Sequence, residues 1–284
     1  MSNIDPDTVE GFGEEWSRFD QSGLSKAELG EWGDRYFSIL PLASLNKSMK
    51  AMDVGCGSGR WSTLVAPLVG EIHLVDPSGQ ALEVAKRNLG RFPNAIFHKA
   101  SVDQLPVRDG SMDLIFSLGV FHHVPDVSAA VRNCVEKLAP GGKLLLYLYY
   151  RLEFRSRWFY LLWKVSDLVR KLISRLPFTA RKRVADCIAV LVYWPISRIS
   201  LIASFIGINV STFPLSIYRR SSLYLLRTDA LDRFGTKLEN RFSRAEIEKI
   251  LFEAGLEEIT FRESEPFWCV LGRKPTGPDQ VVIS

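Results

Sequence analysis

Cysteine and histidine are both scarce in this chain, with four of each among 284 residues. Cys56, Cys134, Cys187 and Cys269 stand far apart, and none forms a CxxC pair. That spacing argues against a zinc site and against a disulfide framework, and it suits a reducing cytoplasm. No metal is expected. Met1 to Asp34 holds nine acidic residues against Arg18 and Lys26, with no apolar core segment, so no signal peptide is expected. No unbroken apolar run reaches the roughly 18 residues of a membrane span. Internal repeats and low-complexity tracts are absent too.

Hydrophobic residues make up 46% of the chain, enough for a sizeable core and against wholesale disorder. The net charge of +4 is unevenly spread. Residues 151–227 hold 14 Lys and Arg against Glu153, Asp167 and Asp186, a local charge of +11 that leaves −7 for the remainder.

The stretch with most chemistry is Met49 to Gly59, M-K-A-M-D-V-G-C-G-S-G. It reads as a short strand, then a glycine-rich turn, then a helix opening at Arg60. Glycines let the backbone turn sharply and approach a ligand. The following helix aims free N–H groups at that ligand. Asp76 ends a second apolar strand, Glu71 to Val75, where a carboxylate can accept two hydrogen bonds from a ribose diol. The turn is GxGxG, without the third glycine that a dinucleotide pyrophosphate needs.

Four segments recur in order: D-V-G-C-G-S-G, L-V-D-P-S, L-P-V-R-D-G-S-M-D-L-I-F-S-L-G-V-F-H-H-V-P-D and L-A-P-G-G-K-L-L-L-Y. Together they resemble the class I S-adenosylmethionine-dependent methyltransferases, closely from Lys50 to Tyr150 and more loosely from Ser243 on. The resemblance implies a Rossmann-like α/β fold. Its seven-stranded, mostly parallel sheet would end in an antiparallel hairpin, with a helical insertion or cap added. It also implies S-adenosyl-L-methionine as cofactor. Asp53, Gly55, Cys56, Gly57 and Gly59 would cradle the methionine part, and Asp76 would hold the ribose. Leu118 and Gly119 would pass close by through backbone atoms. Many family members place an acidic residue after the third strand to bind adenine. Here that position is Ser101, so Ser101, the Val102 N–H or Asp103 is the candidate.

In chain order, residues 1 to about 10 read as loose, within an N-terminal helical segment (1–46). F-G-E-E-W, Phe12 to Trp16, resembles a segment of one bacterial subgroup and reads either as ordinary surface packing or as a lid over the cofactor. A helix from Ser25 to about Leu40 follows. The core (47–150) alternates strand and helix: Met49–Val54, Arg60–Val69, Ile72–Val75, Gly79–Leu89, Ala95–Lys99, Met112–Ser117, Val127–Leu138 and Lys143–Tyr149. Residues 151–227 break that rhythm. Trp158, Leu161, Leu162, Val165, Leu168, Val169 and Leu172 recur at helical spacing. A second apolar stretch, Val184 to Ile208, is broken by Pro195 and Gly207. This insertion reads as a solvated elaboration, a substrate cap or a surface that docks on an anionic membrane face. Residues 228–275 complete the core: a capping box Ser243-x-x-Glu246 opens a helix to Ala254, and two strands turn at Pro266. A tail (276–284) ends the chain.

Methyl transfer from a sulfonium is an in-line displacement that needs positioning above all. His122 and His123 are candidates for a general base or an oxygen-orienting group, or else support the loop. The expected acceptor is a small amphiphilic molecule rather than nucleic acid, since the basic residues interleave with long aliphatic runs. A fatty-acid-like carboxylate giving a methyl ester is the first choice. Arg219, Arg220, Arg227 and Arg241 are candidates to fork its head group, and Arg241 is taken with the two histidines as catalytic. A lipid-linked glycan or another small-molecule hydroxyl at the membrane face is the alternative, and a cofactor-binding protein without turnover is a third. The cytoplasm, with peripheral contact at the inner membrane face, is the expected location. A homodimer is left open.

Overall fold

The computed structural model describes residues 3–153, 155–264 and 267–277. Five strands form the parallel part of its sheet: β1 (Lys50–Val54), β2 (Glu71–Asp76), β3 (Ala95–Lys99), β4 (Met112–Leu118) and β5 (Leu138–Tyr147). β6 (Glu257–Phe261) and β7 (Cys269–Arg273) form an antiparallel pair, and β7 runs antiparallel against β5. The order is β3-β2-β1-β4-β5-β7-β6. The chain reverses direction across the sheet between β1 and β4, and ligands bind at the carboxyl ends of strands at such a switch point. The expected seven-stranded Rossmann-like sheet with its closing hairpin is borne out. Pro266, expected at the hairpin turn, and most of the expected tail lie outside the described residues.

The strand residues alternate between two cores. Met52, Ile115, Leu144 and Leu146 point to one face, where α5 (Val127–Lys137) and α10 (Arg244–Glu253) pack. Ala51, Leu74, Leu114, Phe116 and Leu145 point to the other, where α4 (Gly79–Leu89) packs. This is the period of two that a sheet covered on both faces requires. Ser243 and Glu246 form the expected capping box on α10.

Three local expectations are corrected. Residues 60–69 hold only one helical turn, α3 (Ser62–Val65), because the glycine turn spends its residues closing on the sheet. The segment expected to be loose before residue 10 is already helical: α1 spans Pro6–Arg18, with the Asp5 side chain accepting from the Thr8 N–H and Pro6 at the first turn. Nor does Pro195 break the insertion. α7 (Phe178–Ile188) runs through a π-helical stretch, Ala189–Tyr193, into α8 (Trp194–Phe205), one continuous 28-residue helix. The widened π turn takes up the carbonyl that a proline ring would otherwise strike. That helix is long and apolar enough to cross a membrane by length and composition, where unbroken runs in the sequence had suggested none.

The insertion helices are turned outward. α6 (Arg157–Ile173) buries Arg170 and Ile173 while exposing Trp158, Leu161, Leu162, Val165, Leu168 and Leu172. α8 buries Ser197, Ser200 and Ala203 while exposing Ile199, Ile202 and Phe205. α9 (Leu223–Gly235) then returns to the sheet and continues through Arg227, so the expected boundary at 227 falls within a helix. α2 (Lys26–Tyr36) packs Trp32 into the second of the two cores.

Candidate functional site

The turn after β1 is built on three residues with positive φ: Gly55 at +77°, Gly57 at +53° and Gly59 at +73°. A side chain at any of them would be strained, and each would also collide. A Cβ on Gly55 would meet Val120 at 2.4 Å, and one on Gly57 would meet the Trp16 Nε1 at 2.7 Å. The Gly55 and Cys56 N–H groups both donate to the Val75 carbonyl, which ties the turn to the end of β2.

Asp76, the last residue of β2, faces this turn. One carboxylate oxygen accepts from the Gly57 N–H at 2.9 Å and the other from the Ser78 N–H at 2.8 Å. Burial raises its pKa to about 6 against those two hydrogen bonds. Asp53 plays another part. Its carboxylate accepts from the Ser62 hydroxyl at 2.7 Å behind the turn, and burial pushes it up to about 7.

The turn, Asp76 and the ends of β3 and β4 enclose a cleft whose space, counted out to its open mouth, is about 940 Å³. Gly55, Cys56, Gly57, Asp76, Ser101, Val102 and Leu118 line it, as does Gly119. Asp53 and Gly59 are not among its walls; they shape the turn from behind. Asp103 accepts from the Asn3 N–H at 2.6 Å and is not among the cleft's walls, whereas Ser101 and Val102 are.

Helix α1 forms the roof. Thr8, Val9, Phe12 and Trp16 face the cleft. The helix is stapled at its start by Asn3, whose side chain exchanges two hydrogen bonds with the Asp126 backbone. Phe12 and Trp16 thus stand at the cleft wall, where either reading left open for them has to place them. Arg60 also lines the cleft, and its buried Nε has no hydrogen-bond partner among the described residues.

The three expected catalytic residues separate. His123 lines the cleft. Its Nδ1 lies 2.6 Å from the Leu238 carbonyl, and its ring is 5.1 Å from that of Phe12. Burial lowers its pKa to about 4, so it is neutral in ordinary conditions. His122 is wholly buried and stacks on Tyr149 with ring centroids 3.6 Å apart, away from the cleft. Arg241 pairs with Glu239 at 2.8 Å and donates to the Tyr150 carbonyl. Its guanidinium is sandwiched by Tyr149 and Trp163 and does not reach the cleft.

Residues not anticipated are Asn3, Thr8, Val9 and Arg60. The Asp5-Pro6 pair was a readable helix start that would have found the first three.

Comparison with known proteins agrees with this geometry. Residues 52–146 match a family described as "Methyltransferase domain". A ubiquinone biosynthesis O-methyltransferase of Xanthomonas euvesicatoria pv. vesicatoria is 31% identical over 147 residues, 46% of this chain and 62% of that protein. The one from Xanthomonas oryzae pv. oryzae is 31% identical over 145 residues, 45% of this chain and 61% of its own. The chain thus spans about three fifths of the length of the curated relatives it matches. Among solved structures, a provisionally assigned S-adenosylmethionine-dependent methyltransferase of Methanococcus maripaludis aligns over 100% of this chain and 99% of its own. Its TM-score is 0.53 at 15% identity, a likeness of fold. The family match falls on the stretch, Lys50 to Tyr150, where the sequence resembles the methyltransferases most closely.

Proposed function

We propose that the protein transfers a methyl group from S-adenosylmethionine to an oxygen of a small amphiphilic acceptor at a membrane face. The observation that carries the transfer reading is the Asp76 carboxylate, fixed by two backbone N–H groups at the wall of a glycine-cradled cleft. Its oxygens keep lone pairs for a ribose diol. Arg60, with an unpartnered buried Nε, fits a carboxylate such as that of the methionine part. Bound there, the cofactor supplies an activated methyl group on a positively charged sulfur. The chain then has to orient the acceptor, exclude water and receive a proton.

The acceptor expected first, a fatty-acid-like carboxylate, relied on arginines that serve elsewhere. Arg227 forms two hydrogen bonds to Asp186, Arg219 donates to the Ser216 carbonyl, Arg241 is held by Glu239, and Arg220 is exposed. None lines the cleft. The alternative, a hydroxyl acceptor, therefore has more support, and the relatives above are O-methyltransferases by name.

Membrane contact is supported by the insertion. Its exposed face carries Trp158, Leu161, Leu168, Leu191, Ile202 and Phe205, with exposed Arg157, Lys164, Lys171, Arg175 and Arg183 in the same segment. Apolar and basic residues together complement a bilayer bearing anionic lipid.

Two measurements test this reading. Calorimetry with S-adenosylhomocysteine is expected to show micromolar binding; absence of binding would overturn the transfer reading. Sedimentation with vesicles of phosphatidylcholine and phosphatidylglycerol should carry the protein down, and pure phosphatidylcholine should carry less. Equal failure with both vesicles, or a dimer whose interface hides the apolar face, would overturn the membrane reading. A binder without turnover would take up S-adenosylhomocysteine yet label no hydroxyl acceptor.

A further inference from the structure

The loop after α9, residues 236–241, touches the outward-facing insertion on one side and the cofactor cleft on the other. From the insertion, α6 sends in Arg170, which is only 5% exposed. Its Nη1 donates to the Thr236 carbonyl at 2.8 Å and the Lys237 carbonyl at 3.0 Å, while its Nε donates to Asp167 of the same helix at 2.8 Å. α7 sends in Arg181, which donates to the Gly235 carbonyl at 3.0 Å. A rigid guanidinium that serves two carbonyls and a carboxylate at once fixes the direction of the loop as well as its position. Within the loop, Glu239 is closed in by Arg233 at 2.6 Å and Arg241 at 2.8 Å.

The other side of this loop bears on the cleft. The Leu238 carbonyl lies 2.6 Å from His123 Nδ1. The Asn240 N–H donates to the His122 carbonyl, and the Asn240 side chain donates to the Val124 carbonyl. His123 and Val124 are cleft walls. Lys237 reaches the roof, where it pairs with Asp7 in the first turn of α1. Arg181 meets the same helix: it stands 3.8 Å from Glu14 and passes over Gly11, where a Cβ would come within 3.4 Å of it.

The joint between α1 and the insertion is neither apolar nor full. A space of about 300 Å³ remains there. Thr8 Oγ1, Glu15 Oε1 and Arg181 Nε, all from residues that line it, have no hydrogen-bond partner among the described residues. The opposite flank of α1 lies close on α4, where a Cβ on Gly13 would come within 2.5 Å of the Ser78 hydroxyl. A helix seated tightly on one flank and loosely on the other opens on the loose side, since local opening is drawn from weakly packed contacts. Lys237 and Arg181 are the pins on that side.

We propose that the insertion governs release of the product cofactor through this loop, with Arg170 as the residue that positions it. This rests on the methyl-transfer reading only for the identity of the ligand, S-adenosylhomocysteine. Arg170 is not a cleft wall; it acts through Lys237 on the roof and through Leu238 on the wall. α6 and α7 thereby belong to the cofactor site although none of their residues lines the cleft.

The test measures dissociation of S-adenosylhomocysteine from the full chain by stopped-flow displacement. Arg170→Met is expected to speed dissociation at least fivefold and Lys237→Ala at least twofold. The double variant should dissociate no faster than Arg170→Met alone, because a loosened loop no longer lets Lys237 pin α1. Rates that multiply would show two independent effects and overturn the proposal. Ile173→Ala removes a buried apolar side chain from the same helix and none of the loop's hydrogen bonds. It should lower the thermal midpoint and keep dissociation within about twofold of the wild type. A rise matching that of Arg170→Met would mean general loosening and overturn the proposal. Arg170→Lys keeps a cation but cannot reach Asp167 and both carbonyls together, so an intermediate rate is expected. Should Arg170→Met fail to fold, this variant decides, and a wild-type rate would overturn the proposal. Failure of S-adenosylhomocysteine to bind the wild type would overturn both readings, whereas every outcome above leaves the transfer reading intact.

Discussion

Asp76 works as an acceptor on every side. Two backbone N–H groups already donate to it, and a ribose diol would add two more donors. Only the ionised carboxylate can serve all four. Because burial raises its pKa to about 6, affinity for S-adenosylhomocysteine is expected to rise as pH increases through that value. Calorimetry from pH 5 to pH 8 should show the rise, and Asp76→Ala should remove it. That variant loses charge-assisted hydrogen bonds of about 1.5–3 kcal/mol each, so binding should weaken at least tenfold. Gly57→Ala tests the cradle. The backbone there is left-handed, which costs a side chain about 1–2 kcal/mol, and the new methyl would press on Trp16. A lower thermal midpoint and a shifted tryptophan emission are the expected readouts. At this scale the glycines and Asp76 were legible because their conformations follow from residue type and spacing. Arg241 was misread because its partners, Glu239 and the Tyr149 and Trp163 rings, are set by tertiary packing that no local pattern records.

Helix α1 lines the cleft, and on our reading access runs past it. Its Trp16 indole caps Gly57, and Asn3 pins its start to the segment before α5. Trp16→Ala should speed dissociation of S-adenosylhomocysteine, measured by stopped-flow displacement, and should expose residues 6–18 to protease in the loaded protein. Equal dissociation rates in the variant and the wild type would show that α1 does not gate the cleft. The sheet strands were legible from apolar runs bounded by turns. The reach of α7 into α8 was not, since a proline normally ends a helix and the π stretch that absorbs it leaves no mark in composition.

For the whole molecule, buried titrating groups set the pH dependence of stability in two opposed ways. Asp53, at about 7, and Asp76, Asp229 and Asp232, each at about 6, have folded pKa values above their unfolded ones. Their contribution is fully present below the unfolded carboxyl range and is lost as pH rises through 6 to 7. His122 and His123 are lowered, so their contribution is lost as pH falls below the ordinary histidine range. The two windows overlap, and four carboxyls outweigh two imidazoles in them, so the thermal midpoint is expected to fall as pH rises from about 4 to about 7. Asp53→Asn should flatten the alkaline side of that curve. The insertion adds a property that concerns the molecule as a whole. Replacing Leu161, Leu168 and Ile202 by Ser removes exposed apolar groups, so it should leave the thermal midpoint nearly unchanged and reduce sedimentation with anionic vesicles.

The roof also has an order of assembly. α1 packs on α4 and on α9, and Asp7 pairs with Lys237 just after α9. α4 follows α1 by about 60 residues of chain, and α9 follows it by more than 200. At about 5–20 residues per second, the second seat is synthesised roughly 10–40 s after the helix. Val9, Phe12 and Trp16 therefore meet the glycine turn well before α9 arrives to lock them there.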